Sequence, residues 1–299
     1  MKSIEKGLSI VVPAYNEENG ISSVLDELFQ VTATFDFPLE IIVVDDGSAD
    51  KTGEIIKTFR EVELLTHQTN RGYGAAVKTG IRAAKYDLVC ITDADGTYPN
   101  EKIDTLVTTA IKGDFDMVVG ARIGDNVSIP IIRRPAKWAI RKLAEYISGE
   151  SILDINSGLR VFKKSAANRL LSLLPNGFSL TTTITLGMLS NGYNVKYLPI
   201  DYHGRIGNSK IKPIRDTLGF IQLILRMGLY FSPLKVFLPI SSVFVMAAIL
   251  AAIISTYIYG RLADVTTLVL LVTGIQIGAL SLIAELINHR VPNDYREHL

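Results

Sequence analysis

Cysteine is almost absent from this chain of 299 residues, and neither sign of charge is in excess. The single cysteine, Cys90, excludes an intrachain disulfide and fits a reducing compartment. The formal net charge of +1 gives no support for nucleic-acid binding, which needs an excess of cations. The first residues are polar and contain no apolar run of signal-peptide length, so we expect the N-terminal part to stay in the cytoplasm.

Charge is missing from two long stretches near the C-terminus. Residues 236–258 contain no charged residue, and residues 265–286 contain only Glu285. Each stretch is about as long as the ~20 apolar residues that cross a bilayer as a helix. The short link between them predicts a two-helix transmembrane hairpin at about 236–258 and 265–287, since helices buried in a soluble core rarely lack charge for so long.

Cations flank this predicted hairpin, and its link contains only Arg261. The positive-inside rule therefore predicts a multi-pass protein of the cell membrane, with the N-terminal domain and the C-terminal tail on the cytoplasmic face. The flanking basic residues are Lys210, Lys212, Arg215, Arg226 and Lys235 before the hairpin and His289, Arg290 and Arg296 after it.

Short apolar runs alternate with helix-like segments over the first part of the chain. Continuous apolar runs are typical of strands buried in parallel sheets, and the segments between them have apolar residues at helical spacing. This alternation predicts an α/β fold with a doubly wound, mostly parallel sheet. The predicted strands are residues 8–12, 40–44, 62–66, 87–92 and 115–120, with 158–162 as a further candidate.

Two later stretches have the spacing of amphipathic helices. Residues 135–147 and 213–231 each place apolar side chains on one face and cations on another. Beside a membrane hairpin such helices can lie in the bilayer interface, although packing on the sheet explains the first equally well. The predicted organisation is an α/β domain over 1–212, an interface helix over 213–234, and the hairpin with a short tail over 235–299.

Acidic residues directly follow two of the predicted strands. Asp45 and Asp46 end one run, and Asp93 and Asp95 end another, at the sheet edge where α/β proteins bind ligands. Residues two apart in extended backbone point the same way, so Asp93 and Asp95 can hold one cation against a diphosphate. Helix capping and a polar turn explain parts of both clusters. They do not explain adjacent carboxylates, which repel each other unless donors face them.

Several ordered segments resemble family 2 glycosyltransferases of the GT-A fold. Residues 11–18 (VVPAYNEE), residues 45–52 (DDGSADKT) and the triplet Asp93-Ala94-Asp95 match the first three motifs of that family. Residues 154–158 (DINSG) and 204–210 (GRIGNSK) resemble its dolichol-phosphate mannose synthase branch. That branch loads a sugar onto a polyprenyl phosphate, and the resemblance implies a GT-A domain that inverts the anomeric centre.

The resemblance also implies a donor site for a nucleotide sugar. In it, Asp46 accepts from the base and the glycine-rich loop with Arg205 and Lys210 closes over the diphosphate, although that loop also fits a basic juxtamembrane patch. A Mg²⁺ or Mn²⁺ ion is implied at Asp93 and Asp95 with Thr97, which stands where this branch commonly has a glutamine. The implied donor-site residues are Pro13, Ala14, Tyr15, Glu17, Asp45, Asp46, Asp93, Ala94, Asp95, Arg205 and Lys210.

A carboxylate base is missing where many family 2 enzymes that act on sugar hydroxyls carry one. Between Asp154 and Asp201 there is no aspartate or glutamate. A hydroxyl acceptor benefits from a base, whereas a phosphate monoester, with a second pKa of about 6, is largely deprotonated at pH 7. The sequence thus favours a phosphate acceptor, which needs cations. The candidates are Arg122, Arg133, Arg134 and Lys137, with Ser157 on the same side; singly, each cation is also explained as a solvated surface charge.

Together these observations predict a membrane-bound inverting glycosyltransferase that moves a hexose to a polyprenyl phosphate. GDP-mannose and UDP-glucose both fit as donors, and a homo-oligomer is compatible with the sequence. The predicted catalytic residues are Asp93, Asp95, Arg122 and Arg205, and Asp154 is expected to orient a cation or to be structural. Two alternatives stay open: a catalytically inactive nucleotide-binding membrane protein, and a family 2 transferase with a different lipid or sugar acceptor.

Overall fold

The computed structural model describes residues 5–123, 134–202, 213–260 and 265–290. Within these ranges helices cover both faces of a seven-stranded sheet. In the same ranges, three long helices follow the last strand in the chain. The strands are β1 (Glu5–Ala14), β2 (Leu39–Asp45), β3 (Val62–Thr66), β4 (Tyr86–Ile91), β5 (Met117–Ala121), β6 (Arg160–Lys163) and β7 (Val195–Pro199). The helices are α1 (Ile21–Thr32), α2 (Thr52–Ile56), α3 (Tyr73–Ala83), α4 (Ile103–Lys112), α5 (Arg134–Ser148), α6 (Lys164–Leu170), α7 (Leu180–Ser190), α8 (Pro213–Phe231), α9 (Pro233–Tyr259) and α10 (Val265–Arg290).

The sheet has the strand order β3-β2-β1-β4-β6-β5-β7. Every neighbouring pair is parallel except the two pairs that β6 makes with β4 and β5. The predicted mostly parallel α/β sheet is therefore confirmed. The further strand predicted at 158–162 exists as β6 but runs antiparallel, because it begins beside the carboxyl end of β4, at the edge where β5 has just ended.

Hydrophobic layers cover both faces of the sheet. Successive residues of β1 point to opposite faces, so Ile10 and Val12 pack with α1 and α4, while Val11 packs with α3 and α7. All three side chains are fully buried. Helices on both faces fix the strands as a rigid layer and leave the carboxyl edge for polar residues.

Helix α5, one of the two predicted amphipathic helices, buries its apolar face against protein. Ile140, Ala144 and Ile147 pack with residues of α7 and α8 in a third hydrophobic cluster. The opposite face presents an exposed stripe of Trp138, Lys142 and Tyr146. The hydroxyl of Tyr146 donates to the carbonyl of Lys235 (3.0 Å), so the C-terminal end of α5 contacts the start of α9.

Helices α9 and α10 form an antiparallel hairpin at the predicted place. The segments Pro233–Ile258 and Val265–Ile287 are long and apolar enough to cross a membrane, judged by length and composition. The hydroxyl of Ser241 donates to the carbonyl of Gly274 (2.7 Å), and a Cβ on Gly274 would lie 2.8 Å from a methyl group of Val245. Small residues therefore let the two backbones approach closely, as is typical of helix pairs in membranes.

Candidate active site

Three parallel strands end side by side at one edge of the sheet. Ala14, the last residue of β1, pairs with Asp45 at the end of β2, and the amide of Thr92 after β4 donates to the carbonyl of Val11 (3.2 Å). Both predicted acidic clusters therefore lie at this edge. Because β5 ends and β6 begins here, Arg122 and the segment 154–159 reach the same place.

Asp46 is buried and faces several donors. Its Oδ1 lies 2.6 Å from Nδ1 of His67 and accepts from the amide of Arg71 (2.9 Å), and its Oδ2 accepts from the amide of Gly72 (2.8 Å). Asp45 is satisfied separately, since its Oδ1 accepts from the amide of Ser48 (3.0 Å). These donors explain how two neighbouring carboxylates coexist in a buried place. Asp46 keeps accepting capacity at Oδ2, where a carboxylate oxygen takes two hydrogen bonds.

The segment after β1 is tied to the segment after β2. Asn16 has a positive φ of 53°, its amide donates to Oγ of Ser48 (3.0 Å), and its Oδ1 accepts from the amide of Ala49 (2.8 Å). The amide of Glu17 donates to Oγ1 of Thr52 (2.9 Å). These contacts hold the predicted base pocket in one conformation. Its members Pro13 and Ala14 end β1, and Tyr15 and Glu17 follow, half-buried.

Asp93 and Asp95 stand just beyond β4. The hydroxyl of Tyr73 donates to Oδ1 of Asp93 (3.1 Å). A Cβ on Gly158 would lie 2.8 Å from Oδ2 of Asp93, so any larger residue at this position would displace that carboxylate. Oδ1 of Asp95 accepts from the hydroxyl (2.6 Å) and the amide (3.2 Å) of Thr97, which is buried. Thr97 therefore holds the carboxylate of Asp95 in place.

The Asp93–Asp95 pair has the donor chemistry of a magnesium or manganese site. Such hard cations bind one or two carboxylates and complete their shell with water and substrate phosphates. Nowhere in the described part of the chain do three or more His, Cys, Asp or Glu side chains form a group that could hold a metal. The carboxylates of Asp93 and Asp95 are oxygen donors of the kind that such a cation takes.

Arg122 and Asp154 form a two-pronged ion pair beside these aspartates. Nε of Arg122 lies 2.7 Å from Oδ2 of Asp154, and Nη2 lies 2.9 Å from Oδ1. The guanidinium also stands over the ring of Tyr202, 5.3 Å from its centroid. Burial opposes the ionisation of Asp154, but the hydrogen bonds and charge of Arg122 lower its pKa. Asp154 therefore contacts a cation, Arg122, and fixes the orientation of its guanidinium in this structure.

The N-terminal turn of α7 carries no charged side chain. It lies in the segment for which the sequence predicted no carboxylate base. The hydroxyl of Thr182 donates to Oδ1 of Asn156, and the amide of Asn156 donates to Asp154 (3.1 Å). The nearest acidic side chain of this segment, Asp154, is held in its charged form by Arg122. A group whose pKa is lowered in this way is a poor base at neutral pH.

Arg160, the first residue of β6, is a charged residue in the protein core. Its side chain is fully buried (0% exposed) and donates to the carbonyls of Ser157 and Thr181 and to the hydroxyl of Thr185. Burial lowers its pKa. By binding the carbonyl of Ser157, it joins the 154–158 segment to α7. The hydroxyl of Tyr98 accepts from the amide of Gly158 (2.6 Å) and fixes the same segment from the other side.

The remaining predicted residues divide between described and undescribed parts of the chain. Ser157 is buried beside Gly158, and Ala94 is buried between the two aspartates. Arg134 and Lys137 belong to the start of α5, where side chains are not described. Three predicted cations lie outside the described residues, namely Arg133, Arg205 and Lys210.

Sequence reasoning missed four side chains that organise the site. Tyr73 lies in a glycine turn and Tyr98 follows the aspartate triplet, but neither belongs to a short motif with a chemical role. Arg160 carried a signal, because a charge inside the apolar run 159–162 calls for buried partners. His67 was found only through its contact with Asp46, which joins residues 21 positions apart.

Comparison with known proteins identifies two matching families. Residues 9–171 match the family described as "Glycosyl transferase family 2". Residues 232–289 match "GtrB C-terminal hairpin", a region that coincides with α9 and α10. The first match spans the carboxyl edge of the sheet from β1 to β6.

Named relatives and solved structures extend this likeness. The chain is 32% identical to a dolichyl-phosphate hexose transferase of Haloferax volcanii over 69% of its own length and 87% of the relative. It is 28% identical to an undecaprenyl-phosphate 4-deoxy-4-formamido-L-arabinose transferase of Photorhabdus laumondii over 97% and 91% of the two chains. The fold is shared with glucosyl-3-phosphoglycerate synthase from Mycobacterium tuberculosis, at a TM-score of 0.59 and 20% identity over 75% and 78% of the chains.

Proposed function

The chain belongs to the family 2 glycosyltransferases, and we propose that it transfers a hexose, mannose or glucose, from a nucleotide sugar to a polyprenyl phosphate. Relatives named for dolichyl-phosphate and undecaprenyl-phosphate acceptors support this proposal. The membrane hairpin supports it as well, because the acceptor lipid stays in the bilayer while the sugar donor is water-soluble.

The donor occupies the carboxyl edge of β1, β2 and β4. The base lies between the 13–17 segment and Asp46, and the diphosphate lies at Asp93 and Asp95. Asp93 and Asp95 would hold a divalent cation, whose positive charge would stabilise the departing diphosphate. Thr97 fixes the carboxylate of Asp95. Arg205 and Lys210 are the candidates for a second set of contacts to the same oxygens.

One observation carries the choice of acceptor: the described residues between Asp154 and Asp201, which border the site, include no aspartate or glutamate. Asp154 is committed to Arg122, and the α7 turn presents the neutral pair Thr182 and Asn156. A hydroxyl acceptor would therefore have to lose its proton without a suitable base. A phosphate monoester meets this site already deprotonated.

The transfer then needs no proton relay. One acceptor phosphate oxygen attacks the anomeric carbon while the bond from that carbon to the nucleotide diphosphate breaks, and attack from the opposite face inverts the centre. The new bond and the broken bond balance without any proton moving. The side chains align the two anions and separate them from water, which contributes through proximity and orientation.

The acceptor phosphate needs cations, and the structure limits which ones are available. The positive charge of Arg122 is balanced by the carboxylate of Asp154. It therefore attracts an anionic ligand only weakly unless this ion pair opens. Arg133, Arg134 and Lys137, at and before the start of α5, are the candidates for this role instead, with Ser157 as a further candidate contact. We place this acceptor site at the cytoplasmic face of the membrane, since the flanking cations follow the positive-inside rule.

A donor screen tests the proposal. Purified full-length protein in detergent is incubated with a short polyprenyl phosphate, Mg²⁺ or Mn²⁺, and UDP-glucose, GDP-mannose or UDP-N-acetylglucosamine in turn. We expect one donor to give a polyprenyl-phosphate hexose and Asp95→Asn to give none. Absence of turnover with every donor, in protein that still binds a nucleoside diphosphate, would favour an inactive nucleotide-binding protein.

A further inference from the structure

We propose that Tyr73 is a positioning residue for Asp93, and that the turn 70–74 couples the base end of the donor site to its metal end. The inference rests on the proposed function only for the identity of what Asp93 binds. The contacts that carry it belong to this segment, which includes the last residues before α3 and the first two residues of that helix, and which lies outside every motif identified in the sequence.

The side chain of Tyr73 donates a hydrogen bond to Asp93. Its hydroxyl lies 3.1 Å from Oδ1 of Asp93 and donates to it. Burial, together with the negative charge of Asp93, raises the pKa of Tyr73 well above its usual value. The hydroxyl is thus placed to support Asp93 as a neutral donor.

The same turn binds the other acidic cluster through its backbone. The amides of Arg71 and Gly72 donate to Asp46 at 2.9 and 2.8 Å. One short segment thus contacts Asp46 with its main chain and Asp93 with its next side chain. Because these donors are at most two residues apart, the two carboxylates are linked through one short segment of chain.

The turn is packed so that it cannot rotate independently. Gly72 has a positive φ of 97°. A Cβ on Gly72 or Gly74 would collide with carbonyl oxygens of Asn176 and Pro175. The amide of Ala75 donates to the carbonyl of Asn176 (3.1 Å). Backbone-to-backbone contact of this kind tolerates only glycine and fixes the direction in which Tyr73 points.

The ring of Phe178 packs against the ring of Tyr73. Phe178 stacks on it with centroids 5.6 Å apart and an angle of 22° between the planes. Phe178 itself is 68% exposed. The exposed ring of Phe178 thus covers the ring of the tyrosine that contacts Asp93.

The consequence is a pre-oriented carboxylate. The hydrogen bond from Tyr73 uses one lone pair of Oδ1 and leaves the other accepting positions of Asp93 for a cation. Supporting hydrogen bonds to metal-binding carboxylates typically change metal affinity by about 10- to 100-fold when they are removed. We expect the loss of this single hydroxyl to lie near the lower end, at about tenfold.

Mn²⁺ binding measures this effect without any transfer reaction. Wild type and Tyr73→Phe are titrated with Mn²⁺ in the presence of UDP, and separately of GDP, and free Mn²⁺ is followed by electron paramagnetic resonance. The variant should bind Mn²⁺ about tenfold more weakly. Its transfer rate at saturating Mn²⁺ should approach that of wild type, because the metal requirement is shifted and the chemistry is intact.

Tyr197→Phe is the matched control. Its hydroxyl is also buried, yet among the described residues it has no hydrogen-bond partner. We expect Mn²⁺ affinity within twofold of wild type. Equal Mn²⁺ affinity in Tyr73→Phe and Tyr197→Phe would overturn the proposal.

Asp93→Asn separates this inference from the proposed function. If Asp93→Asn weakens Mn²⁺ binding and Tyr73→Phe does not, only the role of Tyr73 is wrong. If neither variant changes Mn²⁺ binding, the metal assignment itself fails. Should Tyr73→Phe not fold, Phe178→Leu decides: it alters an exposed ring, and weaker Mn²⁺ binding supports the positioning role, whereas unchanged binding contradicts it.

Discussion

The α/β domain and the helical hairpin place the same kinds of residue in opposite positions. In the domain, large apolar side chains such as Ile10 and Phe162 are fully buried, and polar groups gather at one edge of the sheet. In the hairpin, large side chains such as Tyr257, at 92% exposed, point outward, whereas Ser241 and Ser281 are buried. The two regions are therefore suited to different solvents, the domain to water and the hairpin to lipid.

This difference in burial indicates separate roles for the two regions. The domain holds a polar edge whose carboxylates are oriented by neighbouring donors and keep accepting positions for a ligand. The hairpin offers an apolar surface and few polar contacts, one of which is the carboxylate of Glu285 accepting from the amide of Leu234 (3.2 Å) at the start of α9. Chemistry is thus expected to depend on the domain edge, and location on the hairpin surface.

The largest expected effect is the loss of transfer on changing the domain edge. Asp95→Asn removes charge from the predicted metal site and should lower the transfer rate by about 10²- to 10³-fold or more, as loss of transition-state electrostatics does. Circular dichroism and the unfolding temperature should stay unchanged. Asp104→Asn, on the exposed face of α4, is the control and should keep full activity.

Replacing two similarly exposed isoleucines with lysine, one in each region, tests whether the two regions face different solvents. Ile249 in α9 is 54% exposed and Ile111 in α4 is 60% exposed. Ile249→Lys should lose about 3 kcal/mol of membrane insertion, since lysine near the centre of a spanning helix costs that much. Ile111→Lys should be neutral. Membrane fractionation and alkaline extraction measure both, and equal behaviour of the two variants would break the comparison.

The ion pair of Arg122 and Asp154 gives a pH-dependent effect of intermediate size. Asp154→Asn leaves Arg122 without its carboxylate and should cost about 2 kcal/mol, or about 4–8 °C in the unfolding temperature of a domain of this size. The pKa of Asp154 is lowered in the folded state. Its contribution is therefore complete above the unfolded-state pKa of about 3.9 and is lost as pH falls through the lower folded-state pKa.

Thermal unfolding at a series of pH values checks this expectation. The difference between wild type and Asp154→Asn should be constant from pH 8 to about pH 5. It should shrink in stronger acid, where the wild-type carboxylate also becomes protonated. A difference that grows in acid would show that the pair does not stabilise the fold.

The smallest expected effect concerns the close approach within the hairpin. Gly274→Leu places a side chain against Val245 and Ser241 and should destabilise the helix pair by about 1–2 kcal/mol, as overpacking does. Ala279→Leu, on the exposed face of the same helix, should have no effect. Cysteine cross-linking between α9 and α10 in membranes reports the helix separation in each variant.

Much of the fold could be predicted because its signals are local. The strand 62–66 and the helix 213–231 were placed with the bounds that the structure gives them, and the hairpin lengths followed from missing charge. The direction of β6 could not be predicted from four residues. It depends on where the chain lies after β5, a tertiary fact that no local pattern records.

The candidate site was predicted in its acidic residues and not in their support. Asp46, Asp93 and Asp95 stand out because a carboxylate at the end of a buried strand contributes little to the packing of the fold. Their partners His67 and Tyr73 are ordinary residues whose role arises only when β3 and α3 pack beside β2 and β4. Long-range hydrogen bonds of this kind join positions that the sequence does not relate, so a single sequence cannot reveal them.

The acceptor measurement tests the central claim most directly. Purified protein, the active donor and Mn²⁺ are offered a short polyprenyl phosphate or the matching polyprenol, and products are separated by mass. We predict transfer to the phosphate alone, with a rate that falls as acidity protonates the phosphate below its second pKa of about 6. Faster transfer to the polyprenol, or to a water-soluble alcohol, would contradict the account.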